Sequence, residues 1–194
     1  MEWVAARVSR EAGARVAVNV VVRDLNIEAP PDDARRLEVV ANNLPLFGGA
    51  QLAIDTTLVA SLRRDGTARP KAHSQDGVAL EVARRRKEST YPELLEGRGR
   101  ARLVVLALDT GGRWSQEAFH FIRLLARARA RAEPEVVRQS VEFAFRRRWT
   151  AILAVAAQRA FAESLLELPT IGCGSALGGD PPLLSEVLAD ARHA

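Results

Sequence analysis

Glu38 and Asp55 are the acids whose sequence settings suggest chemistry. Glu38 lies in the segment Arg36 to Ala41, where Leu37 and Val39 take one face and Glu38 and Val40 the other. Asp55 lies in Gln51 to Val59, with Leu52 and Ile54 on one face and Gln51, Ala53 and Asp55 on the other. If these strands are antiparallel neighbours, both carboxylates project to one side of the sheet. Divalent-metal hydrolysis of phosphodiesters requires such convergence, because hard cations take oxygen ligands. The plainer reading makes each a surface acid or a strand-end partner for an arginine.

Lys87 and Tyr91 follow, one helical turn apart and so on one face. A lysine beside a scissile phosphate orients a water or neutralises developing charge; the alternative is a solvated basic face shared with Arg84, Arg85 and Arg86. Gly111-Gly112-Arg113-Trp114-Ser115 sits between an apolar run and a helical pattern, a position suited to an anion. It lacks the Gly-Lys-Ser/Thr of a P-loop, which argues against nucleotide hydrolysis by that route. His73, His120 and His193 show no metal-ligand spacing, and there is no G-x-S-x-G elbow. Cys173 lies in a glycine-rich stretch with no catalytic neighbourhood.

These residues must be placed by the elements around them. Glu2 to Gly13 predicts a helix, and the valine run from Arg15 to Asp24 a strand. Pro30-Pro31-Asp32-Asp33 breaks the chain before the strand carrying Glu38, and the strand carrying Asp55 comes third. Val78 to Leu95 reads as a helix with Val78, Val82 and Ala83 on one side and the run Arg84-Arg85-Arg86-Lys87 midway. Arg102 to Asp109 is a continuous apolar run, as expected of a strand covered on both faces. Ser115 is a fitting N-cap for a helix to about Arg131, and Pro134 opens a last helix to about Leu168. The predicted order is α-β-β-β-α-β-α-α: an α/β domain with a mixed sheet, helices on both faces and a C-terminal helical extension. The expected division is a core over residues 1–132, a C-terminal helix over 133–168 packed on or extending from it, and a loosely structured tail over 169–194 that ends in a short segment near Leu183 to Ala191.

The chain has 194 residues, too few for a polymerase, a kinase or a TIM barrel with all their parts. Hydrophobic residues make up 47% and charged residues 27%, a globular composition. Only Lys71 and Lys87 are lysines; the other 26 basic side chains are arginines, the better residue for bidentate phosphate contact. The formal charge of +4 is unevenly spread, being −2 over residues 1–34, +9 over 35–148 and −3 over 149–194. A basic centre between acidic ends suits a polyanionic partner, and an arginine-rich solvated surface gives the same count. A single cysteine excludes a disulfide framework and any multi-cysteine zinc site within the chain. No signal peptide and no membrane span is expected, and an intracellular setting follows.

The order α-β-β-β-α-β, with an acid on each of the second and third strands and a lysine near by, resembles the PD-(D/E)xK nuclease core. The stretches Arg35 to Ala41, Leu44 to Val59 and Ala83 to Leu94 are similar to the restriction-enzyme-like endonuclease segment of non-LTR retrotransposon polyproteins, of the dinoflagellate type. The resemblance covers roughly residues 1–168. It implies a Mg²⁺-dependent domain that nicks DNA and frees a 3′ end for a reverse transcriptase to extend, in the nucleus. It places Glu38 as the first acid, Asp55 as the second and Lys87 as a lysine displaced onto the following helix, with Tyr91 completing a lysine–tyrosine element. Glu38, Asp55 and the Thr56 carbonyl would hold Mg²⁺, while Arg84, Arg85, Arg86, Arg113 and Tyr91 would face DNA. The chain departs from the pattern in three places: Thr57 stands where the motif has lysine, Glu38 replaces an aspartate and lacks the preceding proline, and Asn42-Asn43 replaces Asp-Gly. The rival readings are a catalytically degenerate nucleic-acid-binding domain, an inactive retroelement fragment, and a scaffold whose last helix mediates assembly.

Overall fold

The computed structural model describes residues 1–25, 27–63, 66–96 and 100–166. Helix α1 (Glu2–Glu11) leads into strand β1 (Arg15–Val21), a 3-10 turn at Val22–Asp24, and strands β2 (Arg36–Asn42) and β3 (Gln51–Val59). Helices α2 (Val78–Thr90) and α3 (Glu93–Glu96) cross to strand β4 (Ala101–Asp109), followed by α4 (Gln116–Ala130) and α5 (Glu135–Leu165). The four strands form one sheet in the order β1-β2-β3-β4. β1 and β2 are antiparallel, as are β2 and β3, whereas β3 and β4 are parallel and joined through α2 and α3. The α/β class with a mixed sheet is therefore observed. Met1–Ala162 forms one compact unit and Glu163–Ala194 another, of which only residues 163–166 are described. The tail expected over 169–194, with Cys173 and His193, lies outside the described residues.

Strand alternation gives the sheet two apolar faces. Val39, Ile54 and Val104 meet Val8 of α1, Phe121 and Leu125 of α4, and Trp149 and Leu153 of α5. Val40, Ala53 and Val105 meet Leu80 of α2, with Tyr91 and Leu94 beyond it. Covering both faces explains why β4 is apolar at nearly every position although it lies at an end of the sheet. Its outer edge is partly closed by its own continuation: Asp109 N–H donates to the Arg113 carbonyl and Ser115 N–H to that of Ala107, each at 2.9 Å. Gly112, at φ +87°, permits the turn between them.

Two expectations about the crossover helix are corrected. The helix does not run through to Leu95, because α2 ends at Thr90 and Tyr91 takes φ −128°, ψ 59°. Pro92 accounts for the break, since its ring disfavours helical backbone at the preceding residue. The buried stripe is also rotated: Ala79 and Leu80 are buried, whereas Val82 is 54% exposed. Leu80 and Ala83 lie on the face that continues to Lys87, so packing this stripe against the sheet turns Lys87 inward.

α5 joins the core midway along its length. Trp149, Leu153 and Ala157 are buried, and Phe145 sits against Trp149 at a ring-centroid distance of 5.0 Å. The Trp149 indole N–H donates to Glu11 Oε2 at 2.7 Å, tying α5 to the end of α1. Arg148 and Arg7 donate to the same carboxylate at 3.1 Å. Burial pushes the Glu11 carboxyl up, but the hydrogen bonds from Arg148, Trp149 and Arg7 outweigh it and bring the pKa from 4.5 to about 2. A carboxyl depressed in the folded state stabilises above its unfolded pKa and ceases to do so as pH falls through the folded value. Glu11→Gln is therefore expected to cost about 1–2 kcal/mol at pH 7, after allowance for solvent screening of this partly exposed group. Urea unfolding as a function of pH checks this: the difference from wild type should shrink as pH falls from 4.5 toward about 2.

Candidate active site

Val39 pairs with Ile54 and Val40 with Ala53, so extending the antiparallel register by one residue sets Glu38 opposite Asp55. Alternation then places both side chains on the α2 side of the sheet, the convergence that the sequence required. The ladder ends there, and the Glu38 carboxylate takes over from the backbone. Glu38 Oε2 accepts from Thr56 N–H at 2.9 Å and from Thr56 Oγ1 at 2.5 Å. A residue's N–H and C=O share one strand edge, so the Thr56 carbonyl lies on the edge that faces Glu38.

Lys87 reaches the same place from α2. Its Nζ lies 2.9 Å from each carboxylate oxygen of Asp55, whose side chain is 2% exposed against 28% for the lysine. Lys87 thus pairs with Asp55, while Thr56 holds Glu38 beside them. Burial pushes the Glu38 carboxyl up and the charge of Asp55 adds to this, while the Thr56 hydroxyl and Lys87 pull the other way. Burial likewise raises the Tyr91 phenol, with Asp55 and Glu38 acting in the same sense. Burial leads both shifts, and the neighbouring carboxylates add to it. Two carboxylates and a carbonyl are hard oxygen donors, and that donor set fits a divalent cation. Among the described residues no group of three or more His, Cys, Asp and Glu side chains comes together, so any such site rests on Glu38, Asp55 and backbone or solvent oxygen.

Tyr91 lies near this group in another role, and the arginines predicted to face DNA lie apart from it. Tyr91 is buried and its hydroxyl donates to the Arg36 carbonyl at 2.8 Å, which removes it from the DNA-facing surface assigned to it in the sequence. It braces α2 against β2 instead. Arg84, Arg85 and Arg86 are exposed. Arg84 pairs with Glu88 at 3.0 Å and Glu117 at 3.3 Å, and Arg85 with Glu81 at 3.3 Å. Arg113 pairs with the exposed Asp76 at 2.8 Å. Surface pairs of this kind contribute little and yield readily to another anion. The start of α4 is not an open anion site, because Ser115 Oγ accepts from Ala118 N–H at 3.1 Å and Glu117 already supplies an acid in the first turn. A cleft of about 290 Å³ borders Arg84, Glu88, Arg102 and Glu117 but neither Glu38 nor Asp55.

The sequence reading missed Arg35. Its guanidinium bonds both oxygens of Asp33, the Glu93 carboxylate and the Thr90 carbonyl, and lies 5.7 Å from the centroid of the Tyr91 ring. Asp33-Ala34-Arg35 at the start of a strand was a local signal for the first of these contacts, because the arginine can fold back on the acid. Nothing local signals a partner 58 positions away. No helix among the described residues is long and apolar enough to cross a membrane. Comparison with protein-family models and with curated proteins finds no match.

Proposed function

We propose that this chain is a metal-dependent endonuclease domain of the PD-(D/E)xK kind, hydrolysing a phosphodiester of DNA. The observation that carries the reading is the meeting of Glu38, Asp55 and Lys87 from three separate elements, with both Asp55 oxygens 2.9 Å from the lysine. Glu38, Asp55 and the Thr56 carbonyl would hold Mg²⁺, which when bound supplies charge neutralisation at the phosphate and a more acidic water. Asp55, fixed by Lys87, keeps one carboxylate in place in a nearly dry setting. Glu38, held by Thr56 through Oε2, keeps Oε1 for a further partner. Lys87 places an ammonium where negative charge grows on the phosphoryl oxygens, and it can orient an attacking water. Thr57 does not have to be lysine under this arrangement, because α2, which packs on the same face of the sheet, delivers the amine.

The surface around α2 supports DNA as the substrate class. Arg84, Arg85 and Arg86 lie exposed on the helix that carries Lys87, and with Arg113 they suit backbone phosphates without reading sequence. Converting Arg84, Arg85 and Arg86 to glutamine should weaken DNA binding. It should also reduce the slope of log affinity against log salt by about 0.9 for each phosphate no longer neutralised. Fluorescence anisotropy at several salt concentrations measures this. By its sequence resemblance the domain belongs to a retroelement, and we place it in the nucleus as the nicking partner of a reverse transcriptase.

Incubating the purified chain with supercoiled plasmid tests the activity. Conversion to nicked circles with Mg²⁺, stopped by EDTA, is the expected outcome; no conversion, or equal conversion by Asp55→Ala, contradicts it. One observation favours a second reading, a nucleic-acid-binding module without turnover: Lys87 closes over both oxygens of Asp55. Salt-sensitive DNA binding with no metal-dependent cleavage would identify that state.

A further inference from the structure

The place of Lys87 is not fixed by α2 alone. The helix ends three residues later at Thr90, and Pro92 interrupts the chain before α3. The Lys87 carbonyl accepts from Tyr91 N–H at 3.0 Å, but the carbonyls after it lie past the helical ladder, and a helix end left without partners is poorly suited to hold a flexible lysine side chain on one carboxylate. The structure supplies a clamp at that end. Arg35, three residues before Glu38 in the chain, donates to the Thr90 carbonyl and so caps the last turn of α2. The same guanidinium binds Asp33 through Nε at 3.0 Å and Nη2 at 2.6 Å, and reaches Glu93 at the start of α3. Tyr91 lies under it, and its hydroxyl returns to the Arg36 carbonyl of β2 at 2.8 Å.

We infer that Arg35 is a positioning residue, which locks the end of α2 to β2 through Asp33, Thr90 and Glu93 and thereby holds Lys87 on Asp55. The geometry suits arginine and no other side chain: a planar fork meets a bidentate carboxylate, a second carboxylate and a carbonyl at once. Lysine at position 35 offers one nitrogen and cannot span the three. Asp33 and Glu93 also compensate the guanidinium, so Arg35 adds no free positive charge to the site and acts on it through placement. Its pKa is raised further by these partners, the bonds from Asp33 first, so the clamp stays charged at every working pH. The consequence for rate rests on the endonuclease reading above; the placement of Lys87 does not.

The test uses the chain's unusual lysine content. Lys71 is exposed and Lys87 is paired, and these are the only lysines, so reductive methylation followed by peptide mass analysis reports each amine separately. In the wild-type chain Lys87 should react about tenfold more slowly than Lys71, since a charged hydrogen bond must open before the amine is attacked. Arg35→Met should bring Lys87 close to the rate of Lys71, and Arg35→Lys should fail to restore the protection. Glu93→Gln, a milder change that keeps the Asp33 pair, should give an intermediate rate and serves if Arg35→Met does not fold. Circular dichroism confirms that the fold is retained. A Lys87 that stays as protected as in wild type, in any folded variant of Arg35 or in Glu93→Gln, overturns the inference. For plasmid nicking, Arg35→Met should lower kcat about tenfold with KM unchanged, and adding it to Lys87→Met should cost nothing more. A further loss in the double variant also overturns it. If the wild-type chain does not nick DNA, the endonuclease reading falls while the labelling rates still decide the role of Arg35.

Discussion

Asp55→Asn is expected to reduce Mg²⁺-dependent nicking at least about a hundredfold, the order seen when one group that stabilises transition-state charge is removed. The substitution is nearly isosteric, so the β3 packing around a side chain only 2% exposed is retained. What changes is charge. Lys87 loses the anion 2.9 Å away, and Glu38 is left as the single carboxylate for a cation. Stability should change less than activity, because Lys87 is 28% exposed and its long side chain can carry the ammonium to water. Single-turnover nicking beside urea unfolding separates the two effects. A large activity loss with a small stability loss fits a functional carboxylate, whereas parallel losses would mean that Asp55 serves folding alone.

Trp149→Ala is expected to destabilise the fold by about 3–5 kcal/mol, the range for emptying a buried aromatic site. Trp149 is fully buried among α1, α4 and the sheet and is the largest such side chain. Its loss also removes the 2.7 Å bond to Glu11, one of the contacts that keep that carboxylate charged. Trp149→Phe keeps much of the ring volume and loses the N–H donor, so its cost should fall to about 1–2 kcal/mol. Urea unfolding followed by far-ultraviolet circular dichroism measures both. A change below about 1 kcal/mol for Trp149→Ala would show that α5 does not share the core.

The parts of the site on adjacent strands were legible in the sequence because a short-range rule governs them. Val39, Leu52 and Ile54 pack toward α1, α4 and α5, and alternation sends Asp55 to the α2 side once the strands pair antiparallel, whereas Leu37, expected beside Val39, joins the α2-side core with Val40. Lys87 was legible as a candidate through its spacing from Tyr91, but the buried stripe of α2 was not. Val82 is as apolar as Val78, and only the tertiary position of the sheet selects Ala79 and Leu80 instead. Tyr91 was misplaced for the same reason: a tyrosine beside basic residues reads as surface until Pro92 is seen to turn the chain back under β2. Arg35 with Glu93, and Glu11 with Arg148 and Trp149, join residues 58 and more than 130 positions apart. A folded arrangement creates such contacts, and no local periodicity anticipates them.

In the function proposed above, Glu38 and Asp55 serve one shared divalent cation beside Lys87. Counting bound Mn²⁺ by electron paramagnetic resonance, in the wild-type chain and in Glu38→Gln and Asp55→Asn, tests it most directly. The expected result is a site in the wild-type chain that is lost in each variant while the fold persists. Equal Mn²⁺ binding by all three proteins, or none by the wild type, would contradict it.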